Sequence, residues 1–409
     1  SLEEEKFKIT IDQGLDLLMK EIQTLKETNA KVLDGKAAFK LYDTYGFPSE
    51  LTEEILNENG FSLNKEQFSQ VMEEHRQMAR DARMKTGASG WKDNDFTIDT
   101  EKTIFTGYDN LTDTAEVIAI IVDSEQVNTI DEGQSGIIVL DKTPFYAEGG
   151  GQTGDTGEFA ADGTFAKVDD TKKFNDKIYL HETNVVKGSI SIGDKIIAKV
   201  NSDQRKNTAK NHTSTHLLHK VLKEMLGEHV NQAGSYVSED RLRFDYTHFE
   251  AVSDEVLREI EKKVNEAILA DYKVKTEVMD IEKAKQSKAM ALFDEKYEDK
   301  VRVVSVGDFS KELCGGTHID ETAKIGLFKI ISEGSIASGV RRIEAITGRA
   351  AIEYLNELDN LTHELSLSMK TTKDELKAKV NMLKKESKEK DKEIQKLGNE
   401  ILKNNISQI

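Results

Sequence analysis

Cysteine is nearly absent from this sequence, with a single residue, Cys314, in 409 positions. No internal disulfide framework can form from one thiol, so the fold must rest on packed cores, and a reducing cytoplasm is the expected setting. Proline is almost as scarce, with two residues, and tryptophan occurs once. Helices can therefore run long without a built-in break. No apolar run approaches the ~20 residues that span a bilayer, and the opening SLEEEKFK has none of the character of a secretory signal. No membrane partner is expected. A positive charge balance is missing too: the formal net charge is −18, which argues against a generic nucleic-acid coat protein but leaves room for a local basic groove. With 37% hydrophobic and 32% charged residues, the chain has material for a soluble, helix-rich protein of about two to four domains.

What is present is organised around two short motifs far apart in sequence. One is Asn211-His212-Thr213-Ser214-Thr215-His216, opening an apolar helical run; the other is Cys314-Gly315-Gly316-Thr317-His318. On a helix, His212 and His216 are i and i+4 neighbours with Cβ atoms about 5–6 Å apart, a suitable bite for one ion. The paired glycines allow a tight turn that brings Cys314 and His318 round to the same ion. One thiolate with three imidazoles suits tetrahedral zinc, one per chain, better than magnesium or calcium. An isolated histidine on an apolar helix is usually an ordinary core or surface residue. The i,i+4 pair, joined by a second pair holding the only cysteine, is what lifts this set above that. A zinc peptidase would carry Glu after its first histidine as general base. Thr213 stands there, and that reading fails.

Along the chain, residues 1–93 read as helical. Ile11, Leu15, Leu18, Ile22 and Leu25 recur at helical spacing, further helices are expected over 37–45 and 49–59, and Asn64 with Gln67 resembles a capping box for a helix reaching about Met84. A linker carrying Trp91 follows. From about 96 to 200 the pattern changes to short β runs punctuated by glycine, the clearest over 115–122, 136–140, 178–180 and 196–200, which suggests a small barrel. Within it, Gly149, Gly150, Gly151 and Gln152 form a glycine-rich loop that either exposes amides to a phosphate or makes a hairpin turn. It is no Walker loop, because no Lys-Ser/Thr follows. Residues 201–345 mix helix and strand in the manner of an α+β domain. Before the first histidine lies a basic run containing Arg205, Lys206 and Lys210, and later come Arg341 and Arg342. These are candidates for phosphate contacts, with salt bridges to neighbouring acids as the plain alternative. From Leu376, positions Val380, Leu383, Ser387, Lys390, Ile394, Leu397 and Ile401 step by four and three, a heptad seam with two polar breaks. That seam reads as a helical hairpin arm or the start of a coiled coil, a route to a homo-oligomer.

These motifs together resemble the alanyl-tRNA synthetase family. The resemblance rests on Lys40-Leu41-Tyr42-Asp43-Thr44-Tyr45-Gly46-Phe47-Pro48, the glycine run at 145–155, the two metal motifs with Leu217-Leu218, Arg243-Phe244-Asp245, and Gly339-Val340-Arg341-Arg342-Ile343-Glu344, spread over residues 3–350. The histidine and cysteine motifs alone are shared with threonyl-tRNA synthetases and free-standing editing proteins; the Leu-Tyr-Asp-Thr-Tyr-Gly-Phe-Pro stretch narrows the choice. The resemblance implies a multidomain α+β chain in four parts: a helical tRNA-recognition segment (1–93), a β-barrel (94–200), a zinc-containing editing (deacylase) domain (201–348) and a helical arm that starts the oligomerisation segment (349–409). The ATP- and magnesium-binding aminoacylation core and the globular C-terminal domain of the family have no counterpart here, so a fragment without ligase activity is expected.

The activity implied is hydrolysis of Ser-tRNA(Ala) or Gly-tRNA(Ala), with the tRNA acceptor stem and 3′ end as partner. A site shaped for alanine cannot sterically exclude glycine, and it rejects an added hydroxyl only weakly, whereas a second site that hydrogen-bonds that hydroxyl discriminates much more strongly. In the family a Gln twenty residues after the first His lies at the editing pocket; the matching residue is Gln232, and Thr215 is expected beside it. Zinc could activate water or only position the terminal adenosine. Where the family usually has Asp two residues after Gly-Phe-Pro, this chain has Glu50, a candidate contact to the acceptor stem. Two other readings compete: a non-catalytic zinc-stabilised tRNA-binding module, and a free-standing trans-editing factor.

Overall fold

The computed structural model describes residues 2–28, 30–45, 47–72, 102–287 and 299–406. The chain divides into two compact units, Ser1–Asp93 and Asn94–Ile409.

In the first unit, α1 (Leu2–Thr28), α2 (Gly35–Tyr45), α3 (Ser49–Glu58) and α4 (from 65, described to 72) enclose Leu18, Ile22, Leu25, Leu41, Phe47 and Leu56. Phe47 lies so close to α1 that a Cβ on Gly14 would sit 2.2 Å from its ring. A short parallel strand pair, Val32–Leu33 with Ser62–Leu63, joins the helical layers. Periodicity cannot reveal two-residue strands. The expected capping box is half formed. Asn64 Oδ1 accepts from the Gln67 backbone N–H at 3.1 Å, but the Gln67 side chain instead accepts from the Gly35 N–H at 2.8 Å. The expected helix end at Met84, the linker and Trp91 lie outside the described residues, as does the side chain of Glu50, whose backbone belongs to α3.

The second unit begins with a closed six-stranded antiparallel barrel. Its order is Lys195–Val200, Gly157–Ala161, Thr164–Phe174, Ile178–Lys187, Ser135–Leu140, Thr112–Val122 and back to Lys195–Val200. Closure removes the open edges that a flat sheet would present. Alternate residues, among them Val117, Ile120, Ile138, Leu140, Phe159, Val168 and Val185, fill its interior. Both strands of the hairpin 157–174 escape the sequence reading; in the second, Ala166 and Val168 alternate with charged Lys167 and Asp169 and leave a faint apolar signal. Asp162-Gly163, with Gly163 at φ +74°, was the available clue, an Asp-Gly hairpin turn.

After the barrel, α5 (Ser202–Leu226) starts at Asn201, whose side chain accepts from the N–H groups of Asp203 and Gln204, and stops at Gly227 with φ +117°. The helix thus begins ten residues before His212 and includes the basic run at 205–210. A four-stranded antiparallel sheet, in the order Gln232–Val237, Leu242–Thr247, Val340–Thr347 and Phe328–Ala337, packs against α5 and α6 (Asp254–Leu269). Leu217, Leu218, Val221 and Leu222 meet Phe244, Tyr246, Ile260, Val264 and Phe328 in that core. A three-stranded sheet, Val274–Asp280, Lys300–Val306 and Ser310–Leu313, ends immediately before Cys314; a short α7 (Ile281–Gln286) follows its first strand. The chain then runs into α8 (Gly348–Met369) and α9 (Leu376–Ile406), turning at Lys370 with φ +50° and held there by Lys373 Nζ on Asp359 at 2.5 Å. Ile394, Leu397 and Ile401 remain 50% or more exposed on α9. No helix among the described residues is long and apolar enough to cross a membrane.

Candidate metal centre

The face of α5 that turns inward carries residues 205, 209, 212 and 216, spaced four, three and four apart, and all four are buried. His212 and His216 therefore project from the middle of a rigid helix. Cys314 and His318 arrive on the loop that leaves the three-stranded sheet. The ligand atoms of His212, His216, Cys314 and His318 all lie within 4.8 Å of one another, and no other such group of three or more occurs among the described residues. Cys314 Sγ is 3.4 Å from Nε2 of His212 and 3.3 Å from Nε2 of His318. A tetrahedral zinc shell, with Zn–N about 2.0–2.1 Å and Zn–S about 2.3 Å, spaces its ligand atoms about 3.3–3.6 Å apart. The donor set and its spacing fit that ion.

Hydrogen bonds to Nδ1 set the tautomers of His212 and His318. Nδ1 of His212 donates to Gln152 Oε1 at 2.8 Å. Gln152 is in turn held by the Thr317 N–H at 2.8 Å and donates to Thr317 Oγ1 at 2.9 Å. Thr213 gives its hydroxyl proton to the Ala209 carbonyl at 2.9 Å, so its oxygen accepts from His318 Nδ1 at 3.1 Å. Nδ1 of His216 faces the Glu312 carboxylate at 3.4 Å. His212 and His318 are left with Nε2 directed at Cys314 Sγ, the arrangement in which outer partners orient metal ligands. Burial alone would raise the Cys314 thiol, but His212, His318 and His216 outweigh it and hold the thiol well below its usual range. The Gly316 N–H also donates to the sulfur at 3.4 Å. Burial pushes His318 down to about 3, keeping it neutral.

The reason for Gly-Gly differs from the expected one. Neither Gly315 nor Gly316 has a positive φ; instead a Cβ on Gly316 would lie 2.0 Å from Cε1 of His212. Gly316 is there for close approach. The loop's carbonyls are gripped from outside: Arg302 Nη1 donates to the Cys314 and Gly316 oxygens at 2.9 and 2.6 Å, and Tyr108 Oη donates to the Gly315 oxygen at 2.7 Å. The guanidinium lies 4.1 Å over the Tyr108 ring. Sequence reasoning missed Gln152, Thr213, Glu312, Arg302 and Tyr108 in these roles. Only Thr213 and Glu312 carried a signal, their nearness to the ligands.

The glycine run proves to be a turn. Gly149 and Gln152 exchange both backbone hydrogen bonds at 3.1 Å, and Gly150 and Gly151 have φ +59° and +83°, the positive pair that a type I′ turn needs. The amides of Gly149 and Gln152 are thus committed and do not cradle a phosphate. The turn docks on the four-stranded sheet, the Val237 N–H donating to the Gly151 oxygen at 2.7 Å, and so delivers Gln152 to His212. Replacing Gln152 by alanine should loosen metal affinity by about 10- to 100-fold without removing a ligand, as for other outer partners. A chelator-competition titration measures it; unaltered affinity would leave Gln152 a mere packing residue.

A cavity of about 300 Å³ adjoins the ligands, bordered by Thr215, Gln232, Ser235, His219 and Glu312. Gln232 donates to Ser235 Oγ at 3.2 Å, and Thr215 returns its hydroxyl to the Asn211 carbonyl at 3.0 Å. A second cavity, about 740 Å³, is bordered by Lys206, Lys210, Lys324 and Arg302. The arginines behave differently from the lysines. Arg205 is no phosphate contact: it is 6% exposed, with Nε on Asp155 at 2.9 Å, Nη1 on the Gly107 carbonyl at 2.6 Å and Nη2 on the Pro144 carbonyl at 2.8 Å. Arg341 grips Glu333 with two hydrogen bonds, at 2.6 and 2.8 Å, and Arg342 grips Asp245 at 2.7 and 2.8 Å. Both take the ion-paired arrangement that was the alternative for them.

Comparison with known proteins agrees with these features. Residues 1–204 match the model described as tRNA synthetases class II (A), and residues 301–344 match the threonyl and alanyl tRNA synthetase second additional domain, which includes Cys314 and His318. The chain is 48% identical over 395 residues to an alanine–tRNA ligase of Clostridioides difficile, covering 96% of the chain and 45% of that protein. It is also 48% identical over 403 residues to that of Carboxydothermus hydrogenoformans, covering 98% and 46%. A third such ligase, from Alkaliphilus oremlandii, is 48% identical over 413 residues, covering 100% and 47%. The chain spans about half the length of the curated relatives it matches. Two family models at the barrel side and the loop side of one metal centre, and near-complete alignment with these ligases, lead to one assignment: the chain belongs to the alanyl-tRNA synthetase family.

Proposed function

We propose that this chain hydrolyses the ester of tRNA(Ala) wrongly charged with serine or glycine, as the editing part of an alanine–tRNA ligase. Joining alanine to tRNA(Ala) with ATP and magnesium is the work we assign to the rest of such a ligase. The observation that carries the reading is the junction of a zinc-competent His₃Cys cluster with a cavity of about 300 Å³ bordered by Thr215 and Gln232. That volume is at the small end of ligand sites, the scale of an aminoacyl group with part of its ribose. The residues that would hold zinc are His212, His216, Cys314 and His318. When bound, the ion supplies fixed positive charge beside the ester, for polarising it or for anchoring the terminal adenosine.

The chain's own groups do the positioning. Gln232, half-buried at the end of its strand, offers an amide that both donates and accepts. Lys206 and Lys210, beside the larger cavity, are the side chains we assign to the tRNA backbone, within a protein that is acidic overall. The exposed Ile394, Leu397 and Ile401 of α9 support self-association through the arm.

The test is a deacylation time course on Ser-tRNA(Ala), Gly-tRNA(Ala) and Ala-tRNA(Ala) with zinc measured on the same sample. The expected result is hydrolysis of the first two and sparing of the third. Gln232→His should keep its zinc, because residue 232 is outside the ligand set, and lose about 10- to 100-fold in seryl turnover, the scale of one placed hydrogen bond. A wild-type chain that carries zinc and hydrolyses neither mischarged ester would sink the reading.

A further inference from the structure

His219 is one turn beyond His216 on α5, 6% exposed, and takes no part in the four-ligand cluster. Its ring borders the small cavity together with Thr215, Gln232 and Ser235. Nδ1 lies 3.4 Å from Glu312 Oε2, and that carboxylate's other oxygen accepts from Ser310 Oγ at 3.1 Å. The ring packs against Phe244 with centroids 5.2 Å apart. Nε2 is buried and has no hydrogen-bond partner. Buried polar atoms in native folds are nearly always paired, so an orphan beside a cavity asks for a ligand atom.

Chemistry narrows which atom. A carboxylate can only accept, so Nδ1 is the donor toward Glu312, and in the neutral imidazole that leaves Nε2 as an acceptor. The ligand must therefore bring a donor. Of the groups that distinguish one small aminoacyl ester from another, the seryl hydroxyl is a donor, while the methyl of alanine and the hydrogen of glycine are not. A hydroxyl is also an acceptor, and the Gln232 amide, on the same cavity wall, is a donor. We propose that His219 is a specificity-determining residue for the deacylation proposed above: its Nε2 accepts a hydrogen bond from the hydroxyl of the seryl ester. An alanyl or a glycyl ester leaves Nε2 unpaired in the occupied cavity. A site built to pair a hydroxyl discriminates steeply against the analogue that lacks it, because the site's own polar atom then stays orphaned. The empty partner position of His219 thus favours the seryl ester over both the glycyl and the alanyl one. This inference rests on the deacylase reading for its substrate, but not for the hydroxyl contact itself.

The experiment compares zinc-loaded wild type, His219→Asn and His219→Gln, with zinc content and thermal melting checked on each. Asparagine reproduces the Nδ1 side of the ring and leaves nothing at Nε2; glutamine reaches the Nε2 position. The expected result is a fall of about 10- to 100-fold in the seryl-to-glycyl ratio of kcat/KM for His219→Asn, with part of the ratio restored in His219→Gln. An equal loss on both esters, or an unmoved ratio, overturns the proposal. In the first case His219 acts through Glu312 and His216 on the metal. A binding arm uses non-hydrolysable 3′-amide analogues of seryl-, glycyl- and alanyl-adenosine. If the wild type hydrolyses no ester yet prefers the seryl analogue, and His219→Asn abolishes that preference, the hydroxyl contact stands and the deacylase reading falls. If hydrolysis proceeds but no seryl preference depends on His219, the contact falls and the deacylase reading stands.

Discussion

Replacing Cys314 by alanine should empty the metal centre, lowering zinc affinity by more than the about 100-fold that marks the upper end for an outer partner. The sulfur is the one anionic donor among the four ligands, and its charge is what balances a divalent ion in a site where all four side chains are buried or half-buried. His212, His216 and His318 cannot compensate, because each has its Nδ1 engaged or facing an acid and offers only Nε2. The fold should survive, since the cores lie elsewhere, around Leu218, Phe244 and Ile343. Elemental analysis of the folded variant decides the matter: stoichiometric zinc without Cys314 would remove the thiol from the set.

The same centre has a defined pH dependence. His216 is pulled down by burial, but Glu312 and Cys314 outweigh that and push it up to about 9. Cys314 is already held as thiolate at neutral pH by the imidazoles around it. The proton that zinc displaces is therefore the one on His216, and affinity should rise with pH up to about 9 and level off above it. In the metal-free chain the two shifts oppose each other. His216, raised above its unfolded 6.5, adds stability that is lost as the pH rises through about 9. Cys314, held well below its ordinary 9.0, adds stability that grows as the pH rises towards that value. Melting curves of chelated protein should thus stay nearly level from about pH 7 to 9, while those of zinc-loaded protein rise. Parallel curves would show that zinc displaces no proton from His216.

The cluster that could hold a metal was legible in the sequence because its chemistry is local: His212 with His216, and Cys314 with His318, each pair separated by four positions. Their orientation was not. Gln152 reaches His212 across 60 residues, from a turn whose glycines invited a phosphate reading. Nothing in its immediate neighbours announces a histidine partner. The barrel was legible as a class from glycine-punctuated β runs. Its strand Thr164–Phe174 was hidden because charged residues occupy the outward positions and alanine one of the inward ones. Arg205 is the instructive failure. Taken with Lys206 and Lys210 it reads as a basic strip, but on the helix it shares the inward face with Ala209, His212 and His216, whereas Lys206 is exposed. Helical phase, not charge density, separates the two roles.

That phase argument makes Arg205→Leu the largest stability effect expected outside the metal centre. The guanidinium is buried, doubly bonded to Asp155 and capping the carbonyls of Gly107 and Pro144, which ties α5 to the barrel. Removing it orphans two carbonyls and strands a carboxylate that is 2% exposed, whose remaining support is the Tyr146 N–H at 2.7 Å. Breaking one side of a buried pair costs about 3–5 kcal/mol. Burial already pushes the Asp155 carboxyl up, and only Arg205 and the Tyr146 amide oppose it. Without the guanidinium the group would take a proton more readily, so the deficit against wild type should shrink as the pH falls. Asp155→Leu combined with Arg205→Leu should recover part of the loss, since no lone charge then remains buried. Denaturant titration of the three variants gives the cycle. A different outcome would restore Arg205 to the tRNA surface: an Arg205→Leu chain as stable as wild type, with its affinity for tRNA reduced and its log-affinity against log-salt slope smaller by about one.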